Sequence, residues 1–185
     1  MVDLDVGTVR RMQDEPGFGD VLKHVNELAR AVRKTGGVVA WTVSPVHSPG
    51  PHFRELYGDK TAEMYEKEAI SGEAATVSLE MEVMPEDIRV AKEGYSAFFP
   101  GKCSLHEQLR VRGVDTVLIV GTVTNVCCES SARDAYELNY KVIMISDALK
   151  GHANGLHEAT LATIFRNFGD VRPAGEIVSL LNARG

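Results

Sequence analysis

Three residues of this chain carry groups that together support nucleophilic chemistry: the thiol of Cys127, the ammonium of Lys92 and the carboxylate of Asp3. Cys127 follows the β-branched run Thr116-Val117-Leu118-Ile119-Val120 and the tight Gly121-Thr122-Val123-Thr124 segment, which places it in the first turn of a helix. The unpaired N–H groups of a helix start, together with a nearby cation such as Lys92, favour the thiolate. The same amides suit the oxyanion of a tetrahedral intermediate, a contribution of ~3 kcal/mol per donor in other hydrolases. Asp3, at the end of a first strand, is placed to take the thiol proton and return it to a leaving group. Burial would raise the Asp3 pKa and Lys92 would lower it, so the resting protonation state stays open at this level. Each residue also has a structural alternative: a small buried side chain for Cys127, a strand-end cap for Asp3 and a solvated charge for Lys92.

Positioning such a trio requires elements that deliver all three to one edge. Short β-branched runs alternate with stretches whose apolar residues recur every three or four positions, the pattern of βαβ units around a parallel sheet. Strands are expected over Val2–Val6, Val38–Val43, Ile88–Ala91, Thr116–Val120 and Lys141–Ile145. Helical faces run through Leu22, Val25, Leu28, Ala29 and Val32, over Thr61–Ala69 and Ser104–Val111, from Val126 through Leu138, and over Leu156–Phe168 and Glu176–Leu181. Gly36-Gly37 closes the first of these helices, and Ser71–Glu86 reads as irregular. The expected fold is α/β, a doubly wound, Rossmann-like, three-layer α/β/α arrangement on a mainly parallel sheet of roughly six strands. Ligands of such sheets bind beyond the carboxyl ends of the strands, where Asp3, Lys92 and Cys127 map.

The 185 residues, 44% of them apolar, suit one domain spanning the chain. The net charge of −6 is dispersed, and no basic stretch is interleaved with aromatics, which argues against nucleic acid as a partner. No apolar run approaches the ~20 residues of a membrane span, and no secretory signal is legible, so a cytoplasmic protein is expected. Cys103, Cys127 and Cys128 do not suggest a disulfide framework, and Cys103 reads as a packing residue. Gly94 to Lys102 has the wrong glycine spacing for a phosphate loop, and no dinucleotide fingerprint follows the first strand.

The segment Gly121-Thr122-Val123-Thr124-Asn125-Val126-Cys127-Cys128-Glu129-Ser130-Ser131-Ala132-Arg133-Asp134-Ala135 resembles the nucleophile segment of the isochorismatase-like cysteine hydrolases, which include N-carbamoylsarcosine amidase, ureidoacrylate hydrolase and nicotinamidase. Val90 to Phe98 is similar to the family's lysine segment, and Asn139 to Ala148 and Phe168 to Arg172 are similar to further landmarks. The resemblance implies an Asp–Lys–Cys triad of Asp3, Lys92 and Cys127, with Cys128 packed. Its weakest point is the N-terminus, where Asp5 stands in place of the family's Gln and is an alternative base. It also implies a cis peptide at Val123–Thr124 and an oxyanion hole from the amides of Thr124 and Cys127.

Tyr95, Phe98, Asn125 and Trp41 are candidate pocket residues, although Trp41, inside a buried strand, reads more readily as core than as pocket. Nicotinamidases of the family carry an Asp-x-His-x-x-His metal site where this chain has Ser44-Pro45-Val46-His47-Ser48, so neither a metal nor any other cofactor is expected, and His47 and His52 read as rim residues. The activity implied is hydrolysis of a C–N bond in a small carboxamide, ureido or carbamoyl substrate through a thioester. Vinyl-ether hydrolysis and non-catalytic binding are the alternatives, and a homodimer or homotetramer is the implied assembly.

Overall fold

The computed structural model describes residues 1–44 and 52–183. Helix α1 (Val6–Met12) is followed by α2 (Phe18–Lys34), strand β1 (Ala40–Val43), α3 (Phe53–Tyr57), α4 (Asp59–Ser71) and β2 (Ile88–Ala91). Then come α5 (Leu105–Val111), β3 (Thr116–Thr122), α6 (Glu129–Glu137), β4 (Lys141–Lys150), α7 (Asn154–Asn167), β5 (Asp170–Arg172) and α8 (Ala174–Asn182). All strand pairs are parallel: β1 with β2, and β3 with β4 and β4 with β5. The sheet therefore falls into groups of two and three strands rather than the six expected.

The two groups meet at Val2, which bridges Thr42 of β1 and Gly121 of β3. The expected first strand, Val2–Val6, is confined to that rung. Asp5 ends it, because its side chain accepts from the Thr8 amide at 2.9 Å and caps α1 instead of extending a strand. Gly121 makes the approach of Val2 possible: its φ is +113°, and a Cβ there would stand 2.1 Å from the Val2 carbonyl oxygen.

Helices cover both faces of the sheet and create two apolar layers. One face packs Val21, Leu22, Val25 and Leu28 of α2 with Ile177 of α8 against Leu4, Trp41, Val120 and Ile145. The other packs Leu105 and Leu109 of α5, Ala132 and Ala135 of α6 and Ile164 of α7 against Val90, Ile119, Val142 and Met144. The chain is thus three-layered, as its alternating periodicities require. Helix α2 stops where Gly36 takes φ +77° and the Gly37 amide turns back to the Val32 carbonyl at 2.9 Å. Among the described residues no helix is long and apolar enough to cross a membrane.

Candidate active site

The ends of three elements bring Asp3, Lys92 and Cys127 together. Asp3 follows the Val2 rung, Lys92 follows β2, and Cys127 lies in the wide helical turn Thr124–Cys128 between β3 and α6. That turn is of the π type, with the Cys128 amide reaching five residues back to the Val123 carbonyl at 3.3 Å. The Lys92 Nζ is 2.9 Å from Asp3 Oδ2 and 3.7 Å from Cys127 Sγ, and it also donates to the Gly94 carbonyl at 2.8 Å. The Asp3 carboxylate is itself within hydrogen-bond reach of the Cys127 thiol.

The ammonium is almost wholly buried, with 1% of its side chain exposed, so its charge depends on those partners. Burial alone would push the Lys92 pKa down, but Asp3 and Cys127 outweigh it and the pKa is raised. The cation is held in place through the whole neutral range. For Cys127 the balance runs the other way. Burial first, and then the Asp3 carboxylate, push the thiol up to about 12, against the opposing pull of Lys92 and the Val123 amide. On the resting protonation state, which the sequence leaves open, this balance favours the neutral thiol: burial and Asp3 oppose the thiolate more strongly than Lys92 and the Val123 amide support it.

Asp5, the alternative base, has both oxygens engaged within its own turn, Oδ1 by the Thr8 amide and Oδ2 by the Thr8 hydroxyl, each at 2.9 Å. Asp3 instead takes φ +48°, a left-handed conformation uncommon outside glycine but tolerated best by Asp and Asn. The cis peptide lies at Thr122–Val123, one bond before the position expected. β3 runs through Thr122 and the helical turn begins at Thr124, so the change of direction falls on Val123.

Two of the proposed pocket residues belong to the core. Trp41 is 1% exposed and packs on the α2 face, where its Nε1 donates to Asp87 Oδ2 at 2.7 Å. Phe98 is buried against Tyr140, the ring centroids 5.4 Å apart. In both cases a large aromatic next to a sheet finds more area to bury inside than at the rim. Tyr95 is half exposed and sits close enough to Cys127 and Tyr57 for both to affect it. Burial, then Tyr57, raise its pKa. Asn125 places a buried Oδ1 without a hydrogen-bond partner among the described residues. His52, the exposed residue before α3, makes no capping bond with its side chain, whereas His47 lies outside the described residues. Among the described residues no three His, Cys, Asp or Glu side chains gather as metal ligands.

Sequence reading missed the supports. The Ser131 hydroxyl donates to the Cys127 carbonyl at 2.6 Å and accepts from the Ala97 amide at 3.0 Å, tying the lysine loop to the nucleophile helix. Its position four residues after Cys127 was the available signal. Thr124 Oγ1 pairs with His157 Nδ1 at 2.9 Å, and burial lowers the His157 pKa. Tyr57 and Tyr65, from α3 and α4, join Phe53 in an aromatic group with centroid separations of 4.6 and 5.5 Å to Phe53. No periodicity pointed to them.

Residues 1–176 match the Isochorismatase domain family. An uncharacterized isochorismatase family protein, YwoC of Bacillus subtilis, is 33% identical over 178 residues, covering 96% of this chain and 90% of its own length. The ureidoacrylate amidohydrolase RutB of Agrobacterium fabrum is 36% identical over 56% of this chain and 45% of its own length. Among solved structures, a cysteine hydrolase from Pseudomonas syringae pv. phaseolicola superposes with a TM-score of 0.81 at 25% identity, covering 100% of this chain and 92% of the other. With the family model extending over nearly all of its length, the chain belongs to the isochorismatase family of hydrolases.

Proposed function

We propose that this hydrolase cleaves a C–N bond of a small carboxamide, ureido or carbamoyl compound through a thioester on Cys127, without a cofactor. The observation that carries this reading is the contact of one buried ammonium with both Asp3, at 2.9 Å, and Cys127, at 3.7 Å. A neutral thiol beside a carboxylate is the starting state that a general-base mechanism needs. Asp3 removes the thiol proton as the sulfur attacks the carbonyl carbon, and the carbonyl π electrons move onto oxygen. The amides of Thr124 and Cys127, at the start of the helical segment, receive that oxyanion. Collapse re-forms the carbonyl and breaks the C–N bond, and Asp3 returns its proton to the departing nitrogen, which leaves as ammonia or an amine. Asp3 then deprotonates a water that attacks the thioester, and the thiol is released with its proton restored.

Lys92 stays protonated throughout, countering charge first on Asp3 and then on sulfur. Tyr95, half exposed and near Cys127, suits the wall of a substrate site, and the Asn125 Oδ1, without a partner among the described residues, suits an N–H donor of a carbamoyl or amide group. The similarity to RutB, a ureidoacrylate amidohydrolase, supports the amide over the vinyl-ether alternative. Ammonia release should be screened across small amides, ureas and carbamoyl compounds with the native protein and the Cys127→Ala variant. The reading expects at least one substrate whose turnover falls by about 10³-fold or more in the variant. Undiminished turnover in Cys127→Ala would remove the nucleophile.

A further inference from the structure

Helix α7 grips the nucleophile turn at two points, one on each side of Cys127. In its first turn the His157 Nδ1 stands 2.9 Å from Thr124 Oγ1, and three residues later the Thr160 hydroxyl donates to Glu129 Oε2 at 2.7 Å. Residues three apart lie on one helix face, so both bonds come from the same side of α7. They differ in what they hold. Glu129 is the first residue of α6 and is also held by Arg133, whose Nε and Nη2 donate to Glu129 Oε1 at 3.0 and 2.7 Å. Thr124 opens the wide turn itself and is fully buried. A Cβ on Gly151 would stand 3.6 Å from the Thr124 hydroxyl, so the Gly151 backbone walls it in, and His157 supplies its hydrogen bond. Burial lowers the His157 pKa, which keeps the ring uncharged at neutral pH. A neutral imidazole carries one donor and one acceptor and can match a hydroxyl in either sense.

We propose that His157 is a positioning residue for the hydrolytic reaction: its bond to Thr124 Oγ1 fixes the turn between β3 and α6, and with it the amides of Thr124 and Cys127 that receive the oxyanion. The role rests on the thioester reaction proposed above and adds to it a residue outside the Asp3, Lys92 and Cys127 trio. Side chain and amide of Thr124 share one Cα, so restraining the hydroxyl restrains the direction of the N–H. The carbonyl of the same residue accepts from the Glu129 amide, so the tether also sets the start of α6. Oxyanion donors act through a direction set in advance, and a small misplacement costs rate rather than ground-state affinity. Removing the imidazole leaves a buried hydroxyl unsatisfied and the turn free to shift. Removing the Thr160 bond only loosens α7 on α6, where Arg133 still holds Glu129.

Three variants separate positioning from packing: His157→Phe keeps a ring without the bond, His157→Asn places an amide near the Nδ1 position, and Thr160→Val removes the neighbouring tie. With the amide turned over fastest in the ammonia-release screen, His157→Phe should lower kcat about tenfold with KM within about twofold of native. His157→Asn should recover about threefold of that loss, and Thr160→Val should lower the urea midpoint with kcat within about twofold of native. Hydrogen exchange reads the tether without any substrate. In His157→Phe the amides of Cys128 and Glu129, which bond to the Val123 and Thr124 carbonyls, should exchange about tenfold faster while those of β4 keep their native rates. Unchanged exchange at those two amides overturns the proposal, as does a rise in KM alone or a kcat loss that Thr160→Val reproduces. If His157→Phe does not fold, Thr124→Val removes the same bond from its other end and must give the same changes in exchange and kcat. If no amide of the panel is turned over, the thioester reading fails, while exchange still decides whether His157 holds the turn.

Discussion

Burial and the Asp3 carboxylate both oppose the thiolate and push the Cys127 thiol up to about 12, so the thiolate is scarce at pH 8. Two responses to Asp3→Asn therefore move in opposite directions. Turnover of an amide substrate should fall by about 10²-fold or more, since the proton acceptor is gone. Alkylation of Cys127 by iodoacetamide at pH 8 should become faster, since the carboxylate that raises the thiol pKa has been removed. A parallel fall of both rates would mean that Asp3 shapes the site without taking the proton. Lys92→Met should cost about 3 kcal/mol in urea unfolding as well as activity, because it leaves the Asp3 carboxylate buried without its partner. That Cys127 and Lys92 would meet at one edge of the sheet was legible in the sequence, because each follows a strand within a recognisable flanking segment. The thiol's protonation was not, since it depends on how deeply three chain-distant groups are buried together.

At the scale of elements, the cap on α1 separates the two candidate acids. Asp5→Ala should lower stability by about 1 kcal/mol through loss of the bonds to Thr8, while leaving most of the turnover intact. A collapse of turnover at unchanged stability would instead make Asp5 the base. Gly121→Ala should destabilise more strongly, because the added methyl meets the Val2 carbonyl at 2.1 Å on a backbone with φ +113°, and thermal unfolding reads the difference. The helices α2, α5 and α7 and the strands β1 to β4 were legible from periodicity, as the heptad-like run from Leu22 to Val32 illustrates. Helix α1 was not, because Asp5 reads equally well as a strand residue until its side chain is seen to cap Thr8. The depth of Phe98 was not legible for a related reason, since position along a loop does not say how far an aromatic enters the core, whereas Trp41, inside a buried strand, already read as core.

For the whole molecule, the layer that packs α2 onto the sheet is pinned by Asp87, which accepts from Arg33 Nε at 2.9 Å, from Trp41 Nε1 at 2.7 Å and from the Met84 amide at 2.9 Å. Burial opposes its ionisation, but these donors outweigh it and its pKa is lowered. A depressed carboxylate pKa contributes stability above the ordinary value near 4 and loses it as pH falls through the folded-state value. Acid unfolding followed by the fluorescence of Trp41, the one tryptophan in the chain, should therefore begin at higher pH in Asp87→Asn. An unshifted acid transition would mean that the cluster contributes little. The three-layer architecture followed from alternating strand and helix periods, whereas the division of the sheet at Val2 did not, because a single rung has no signature in sequence.

The central claim is that Cys127 becomes covalently acylated, and rapid quench during turnover of an amide identified by ammonia release, followed by intact-mass and peptide analysis, tests it most directly. The account predicts a transient adduct with the mass of the substrate's acyl group on the peptide containing Cys127, labile to hydroxylamine as a thioester is. Sustained turnover with no such adduct, in a protein whose Cys127→Ala variant releases ammonia equally fast, would contradict it.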